Sequence, residues 1–298
     1  IYAIERILGL DLNPKFLLRR YKARELVYKI LYRLIKSKYV IVTSYPFRAE
    51  IISAKRRGLT VIECQHGTID IPAYSGNFHQ TFFQPDYMLV FGDGDKNKLL
   101  QGNYMHSKRQ IYPVGSILID DLNKQISNHR NKSSKKVITV SCQDTILERL
   151  NSVILEVSKK LPEFKFQLIP RNEVPSIPHG YPNVEIISDL QCLEAIKLSF
   201  AHITVYSTTG YEAASLGIPT VFYNLDNLSV DYFREYIEQK PYVYLANSVY
   251  DLSQTLEELP NWNEDLLISD NKDYYQPEHS KEIKKFFEKL EHKENVYD

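Results

Sequence analysis

The feature that most constrains this chain is an alternation of short apolar runs, each bounded by turn residues, with helical or loop segments. The first half carries KYVIVTS (38–44), LTVIECQ (59–65), DYMLVFG (86–92) and QIYPVG (110–115). These read as buried strands of a parallel sheet, separated by segments such as 46–57 and 116–127. The array restarts with VITVSC (137–142), a helix at 144–161, KFQLIP (165–170), VEII (184–187) and a helix near 190–199. It continues with HITVY (202–206), a helix at 210–217, TVFY (220–223), YVYLA (242–246) and a helix near 248–259. Strands alternating for the most part with helices predict an α/β fold of two doubly wound, Rossmann-like domains. The stretch NHRNKSSKK (128–136) is polar and aperiodic, which makes it the linker. The expected domains are therefore 1–130 and 131–275, followed by 276–298, whose helix at 279–291 packs back on the N-terminal domain.

The length of 298 residues allows two domains of about 100 to 200 residues each. Lys+Arg and Asp+Glu are both 37, so no polyelectrolyte partner is implied and a nucleic-acid binder is disfavoured. Cys64, Cys142 and Cys192 sit singly with no CxxC pair, which argues against a metal or disulfide framework and for a reducing, cytoplasmic compartment. No apolar run reaches the roughly 18 residues of a membrane span, and no signal peptide opens the chain. It begins at Ile1 without Met, from which an upstream segment is expected.

Residues 15–37 place Leu18, Tyr21, Leu26, Ile30 and Leu34 at spacings of three to five, the pattern of an amphipathic helix. Its other positions are basic: Arg19, Arg20, Lys22, Arg24, Lys29, Arg33 and Lys36, against Glu25. Two readings stand side by side. The helix lies on an anionic membrane at its inner face, or it packs on the core with a solvated basic face.

The chemistry concentrates in ITVYSTTGYEAASLGIPTVFYN (203–224). In an open parallel sheet, ligands bind beyond the carboxyl ends of the strands, and phosphates sit at helix N-termini. Ser207, Thr208 and Thr209 offer three hydroxyls there, Gly210 allows close backbone approach, and Glu212 is placed to accept from ribose hydroxyls. The simpler reading is an ordinary cap, but three consecutive hydroxyls exceed what a cap requires. YNLDNLSVDY (223–232) either shapes a base or sugar pocket or leads into the next helix.

A second constellation, ECQHGTIDIPAYSGN (63–77), puts Gln65, His66 and Gly67 directly after a strand, so His66 stands at the functional edge of the first sheet. His66 can serve as a base or donate to phosphate, since imidazole carries both a donor and an acceptor nitrogen, and Asp70 is the rival base. Tyr74 follows within the same stretch. Arg171, at another strand end, can neutralise a phosphate. No Asp-x-Asp pair lies in an apolar strand; GDGD (92–95) reads as turn plus cap, so no metal is required. No GxxxxGK[ST] loop is present, which disfavours an ATPase.

STTGYEAASLGIPTVFY resembles the nucleotide-sugar motif of GT-B glycosyltransferases, in particular bacterial capsule and surface-polysaccharide transferases. The QHG stretch followed by Tyr74, Gly76 and PDYMLVFG (85–92) is similar to the same enzymes. The resemblance implies two Rossmann-like domains facing a cleft, with an N-terminal domain that is reduced or lacks its beginning. It also implies a metal-independent transfer, without cofactor, of sugar from a nucleotide-sugar donor to a surface or capsular glycan. Gln65, Gly67 and Tyr74 would then line the acceptor or sugar pocket, His66 and Asp70 would catalyse, and Arg171, Ser207–Gly210 and Glu212 would hold the nucleotide. Pro170-Arg171 departs from the His-Pro of some relatives. His66-Gly67-Thr68 is also similar to CDP-glycerol-type polyol-phosphate transferases. A UDP-sugar 2-epimerase and a non-catalytic assembly partner complete the alternatives.

Overall fold

A computed structural model describes residues 14–43, 48–67, 69, 84–101, 107–125, 136–187, 192–260 and 262–294. Contacts divide the chain into two compact units, one running to Val90 and resuming at Asp95–Tyr112, the other formed by Phe91–Gly94 and Pro113 onward. Residues 113–125, expected with the first domain, thus group with the second.

The first unit opens with α1 (Pro14–Leu34), then β1 (Tyr39–Val42), α2 (Arg48–Lys55), β2 (Thr60–Cys64), β3 (Tyr87–Val90), α3 (Asp93–Gln101) and β4 (Ile111–Pro113). The strands order β1-β2-β3-β4, with β1, β2 and β3 parallel and Ile62 opposite both Ile41 and Tyr87. Val61, Ile62, Met88 and Val90 are fully buried, as expected of strands covered on both faces. Helix α1 packs on α2 through Glu25, Tyr28 and Tyr32. Ser53 Oγ donates to Glu25 O at 3.2 Å, Arg56 pairs with the Glu25 carboxylate, Tyr28 OH bonds Glu50, and Tyr32 joins the Val42–Ile51–Val61 cluster. Leu26, Ile30 and Leu34 do not pack there and stay exposed. The helix thus buries its tyrosine side, a face that the spacing of aliphatic residues alone does not reveal.

The second unit contributes α4 (Ile117–Gln125), β5 (Val137–Ser141), α5 (Leu147–Lys160), β6 (Lys165–Ile169), β7 (Val184–Ile186), α6 (Cys192–Lys197) and β8 (Ala201–Thr204). It continues with α7 (Thr209–Ser215), β9 (Thr220–Tyr223), α8 (Leu228–Gln239), β10 (Val243–Ala246), α9 (Val249–Glu258), α10 (Glu264–Asp270) and α11 (His279–Glu294). All its strand pairs are parallel in the order β10-β9-β8-β5-β6-β7. Helix α5 is amphipathic, with Leu147, Leu150, Ile154 and Val157 buried at spacings of three and four against β5 and β6. Helix α11 lies against α4, where His279 Nδ1 meets Val114 O at 2.8 Å and His279 N donates to Asp120 at 2.6 Å.

Helix α8 buries Phe233 and Tyr236 in an aromatic cluster with Tyr211, Phe222 and Tyr274, its ring centroids 4.4–6.2 Å apart. Many of the tyrosines therefore serve packing. Lys197 is 1% exposed, and its ammonium donates to Asn123 Oδ1 at 3.0 Å and Leu216 O at 3.1 Å and pairs with Glu264. One buried cation thereby ties α4, the end of α7 and α10 together.

Candidate functional site

The second sheet places its own crevice. From β5 the chain winds one way through β6 and β7, then returns past β5 to β8 and winds the other way through β9 and β10. Neighbouring strands β5 and β8 therefore send their connections in opposite directions, and ligands of open α/β sheets bind beyond such a reversal. Cys142–Asp144 leave β5 at that point, and Val205–Thr208 leave β8.

These two exits are fastened together. Gln143 Nε2 donates to Tyr206 O at 3.4 Å while Tyr206 N donates to Gln143 Oε1 at 3.3 Å, and Thr145 Oγ1 bonds Tyr206 OH. Beneath them the fully buried His202 bridges the two strands. Its Nδ1 lies 3.2 Å from Thr139 Oγ1, and its Nε2 lies 3.3 Å from Ser141 Oγ and 3.2 Å from Thr209 Oγ1. Burial pushes the imidazole down to about 3, so the ring is neutral. Neither Gln143 nor His202 stood out in the sequence. The available signal was a histidine inside the apolar run AHIT, a polar group that must find partners if buried.

The STTG turn is more specialised than a simple amide cradle. Thr209 N donates to Ser207 Oγ at 3.3 Å, Gly210 N to Ser207 O at 3.1 Å, and Tyr211 and Glu212 N to Thr208 O at 2.9 and 3.1 Å. The first amides of α7 are thus engaged within the turn, and Thr209 turns its hydroxyl toward His202. An anion here is met chiefly by the hydroxyl hydrogens of Ser207 and Thr208, both half-buried; Ser207 Oγ accepts from the backbone and keeps its hydrogen for a ligand. Gly210 also has a packing role: a Cβ there would lie 2.3 Å from Phe222 Cζ, so the glycine lets α7 sit on β9. The helix ends at Gly217, φ +74°, with Ile218 N returning to Ala213 O at 2.8 Å, a left-handed C-terminal turn at the end expected for the 210–217 helix.

Glu212 is half-buried one turn into α7, where Tyr275 OH donates to it at 3.4 Å. Burial pushes its carboxyl up to about 7, against the lowering effect of Tyr275. A ribose diol would supply the partners that this carboxylate lacks. Arg171 is exposed at the end of β6, two strands or about 10 Å from β8. It lies beside Asp144, which caps its turn through Asn172 and Glu173, and it bonds none of residues 207–212. In the 223–232 stretch, Asp226 forms a bidentate ion pair with Arg149, and Ser229 Oγ donates to Val205 O at 2.8 Å and Tyr223 O at 2.9 Å, bracing the loop after β8.

In the first unit, His66 is exposed immediately beyond β2 and Gly67 is half-buried; Asp70 and Tyr74 lie outside the described residues. Gln65 is buried. Its Nε2 donates to Asp95 Oδ2 at 2.6 Å and to Gly67 O at 2.8 Å, so a buried carboxylate braces the turn that carries His66. GDGD is therefore more than a turn and cap, since its last member reaches under the neighbouring strand end. Sequence reasoning also passed over Glu63, 2% exposed near the carboxyl end of β2, whose Oε1 has no hydrogen-bond partner among the described residues. Burial raises its carboxyl to about 7. Glutamate inside the apolar run LTVIECQ was the signal. Among the described residues, no group of three or more His, Cys, Asp or Glu is arranged to hold a metal, and no helix is long and apolar enough to cross a membrane.

No protein-family model and no curated protein sequence matches this chain. Solved structures match its fold. The UDP-GlcNAc 2-epimerase of Neisseria meningitidis, bound to UDP-GlcNAc, aligns with TM-score 0.65 and 16% identity over 92% of this chain and 82% of that one. The glycotransferase of kitacinnamycin aligns with TM-score 0.62 and 13% identity over 86% and 76% of the two chains. The wall teichoic acid polymerase TagF does so with TM-score 0.54 and 19% identity over 80% and 69%. At these identities the likeness is one of fold, a GT-B type with Rossmann-like parallel sheets.

Proposed function

We propose that this chain is a metal-independent GT-B glycosyltransferase of the cytoplasm that moves a sugar from a nucleotide-sugar donor to a bacterial surface or capsular glycan. The observation that carries the nucleotide half is the β5/β8 reversal, where Ser207 and Thr208 offer hydroxyls and Glu212 is held short of partners. In this reading the diphosphate takes the two hydroxyls, a ribose hydroxyl donates to Glu212, and Arg171 adds long-range positive charge. Developing charge on the leaving nucleotide then meets fixed donors, which is where such a site gains rate. His66, on its braced turn, takes the proton of the acceptor hydroxyl. The structures of an epimerase bound to UDP-GlcNAc and of a glycotransferase on the same fold support a nucleotide sugar as ligand.

A specific observation favours a second reading, UDP-sugar 2-epimerisation. Inverting a sugar carbon requires a proton to be removed and returned, and Glu63 near pH 7 with Asp95 beside Gln65 supplies carboxyls at a first-unit strand end. The likeness to TagF keeps CDP-glycerol transfer as a third.

One experiment separates them. The protein is incubated in heavy water with UDP-GlcNAc, and separately with CDP-glycerol, with and without glycan acceptor. UDP release with glycan extension and no deuterium in the sugar is expected. Deuterium at the sugar carbon would establish the epimerase, and CMP from CDP-glycerol the polyol transferase. Absence of any nucleotide binding by calorimetry would leave a non-catalytic assembly partner.

A further inference from the structure

We infer that the open face of α1 docks on an anionic lipid surface, an inference independent of the transferase reading. Around the helix at 100° per residue, Glu25, Tyr28 and Tyr32 share the side packed on α2. The opposite side carries Leu26, Val27, Ile30, Leu31 and Leu34. Their exposures of 57, 61, 50, 39 and 76% leave the stripe largely open to solvent. A soluble helix normally turns polar residues outward, and a contiguous aliphatic stripe turned outward marks an interaction face.

The flanks of the stripe identify the occupant. Lys22, Lys29 and Arg33 run along one margin and Arg24 lies on the other, all exposed, and the exposed Lys36 follows the end of the helix. The single acid of the helix, Glu25, is on the packed side in a pair with Arg56. A chain with zero formal net charge therefore concentrates positive charge around its most exposed apolar stripe. A second copy docking by the same face would set basic margin against basic margin. An anionic bilayer satisfies both parts: the aliphatic side chains enter the headgroup–acyl boundary while the lysines and arginine extend to lipid phosphates. The helix lies on the surface; it does not span.

The test uses the whole chain with sedimentable vesicles of phosphatidylcholine alone and of phosphatidylcholine mixed equally with phosphatidylglycerol. Binding to the mixed vesicles only, weakening as salt is raised, is expected. Lys22→Gln/Lys29→Gln/Arg33→Gln protein should bind roughly a hundredfold more weakly, about fivefold per charge removed. Ile30→Asn/Leu34→Asn protein should lose binding with all basic residues in place, and its melting temperature should not fall because both side chains are already exposed. Equal binding to the two vesicle types, no binding to either, or unchanged binding of the Ile30→Asn/Leu34→Asn protein would overturn the inference. So would dimerisation in solution abolished by the same pair of substitutions, which would give the face to a second copy.

Discussion

Replacing Glu63 by Gln tests whether this buried carboxyl is maintained at a cost. Glu63 is 2% exposed with an unpartnered Oε1, and burial raises its pKa from an ordinary 4.5 to about 7. Between those values the folded chain keeps a proton that the unfolded chain has released. Stability contributed by this site therefore falls as pH rises through that window and stays low above it. A difference of about 2.5 in pKa corresponds to a penalty of about 3 kcal/mol in full. Gln is close in shape to the protonated acid but cannot ionise. Urea denaturation followed by circular dichroism at about pH 5 and about pH 8 reads the difference. Glu63→Gln should exceed the parent by less than about 1 kcal/mol at the lower pH, where the unfolded carboxyl has begun to ionise, and by up to about 3 kcal/mol at the higher. Because an amide and a protonated carboxyl make similar demands on the pocket, the change between the two pH values is the diagnostic quantity. Identical pH dependence in both proteins would refute the reasoning and show that Glu63 meets a partner or solvent when folded.

Three further outcomes follow from the geometry. Gly210→Ala should destabilise by about 1–3 kcal/mol, because its Cβ meets Phe222 where β9 allows little movement; Phe222→Leu should restore part of the loss in thermal melting. Lys197→Met should cost about 3 kcal/mol, since it strands Asn123, the Leu216 carbonyl and the partly exposed Glu264, and urea titration measures it. Ser207→Ala/Thr208→Ala should weaken UDP binding in calorimetry roughly tenfold to a hundredfold, at about 1 kcal/mol per neutral hydrogen bond, and should lower the melting temperature of the free protein by only a few degrees, the cost of the Thr209 N–Ser207 Oγ bond. Unchanged affinity would move the nucleotide elsewhere.

The sequence alone determined what depends on neighbours along the chain. Period, turn residues and apolar run length located the strands found among the described residues and the glycine that ends α7, because strand burial and helix termination are written within a few residues of each other. Helix α8 was anticipated only as one of two readings of 223–232, although Val230, Phe233, Tyr236 and Ile237 recur at helical spacing, and the seven-residue helix α10 was missed, since so short a charged segment carries little periodicity and is stabilised by what it packs against. The STTG turn and QHG stood out as candidate sites because unusual residues crowd there. Their working parts were not. That Thr209 turns inward to His202, that Gly210 serves Phe222, and that Asp95 braces the His66 turn through Gln65 are facts about residues 7, 12 and 30 positions apart. Whether a buried polar group is a cost or a brace depends on what the fold brings within hydrogen-bonding distance. The same holds for α1. Its pattern announced two faces, and only the packing of Tyr28 and Tyr32 on α2 decided that the aliphatic face would be the one left open to solvent.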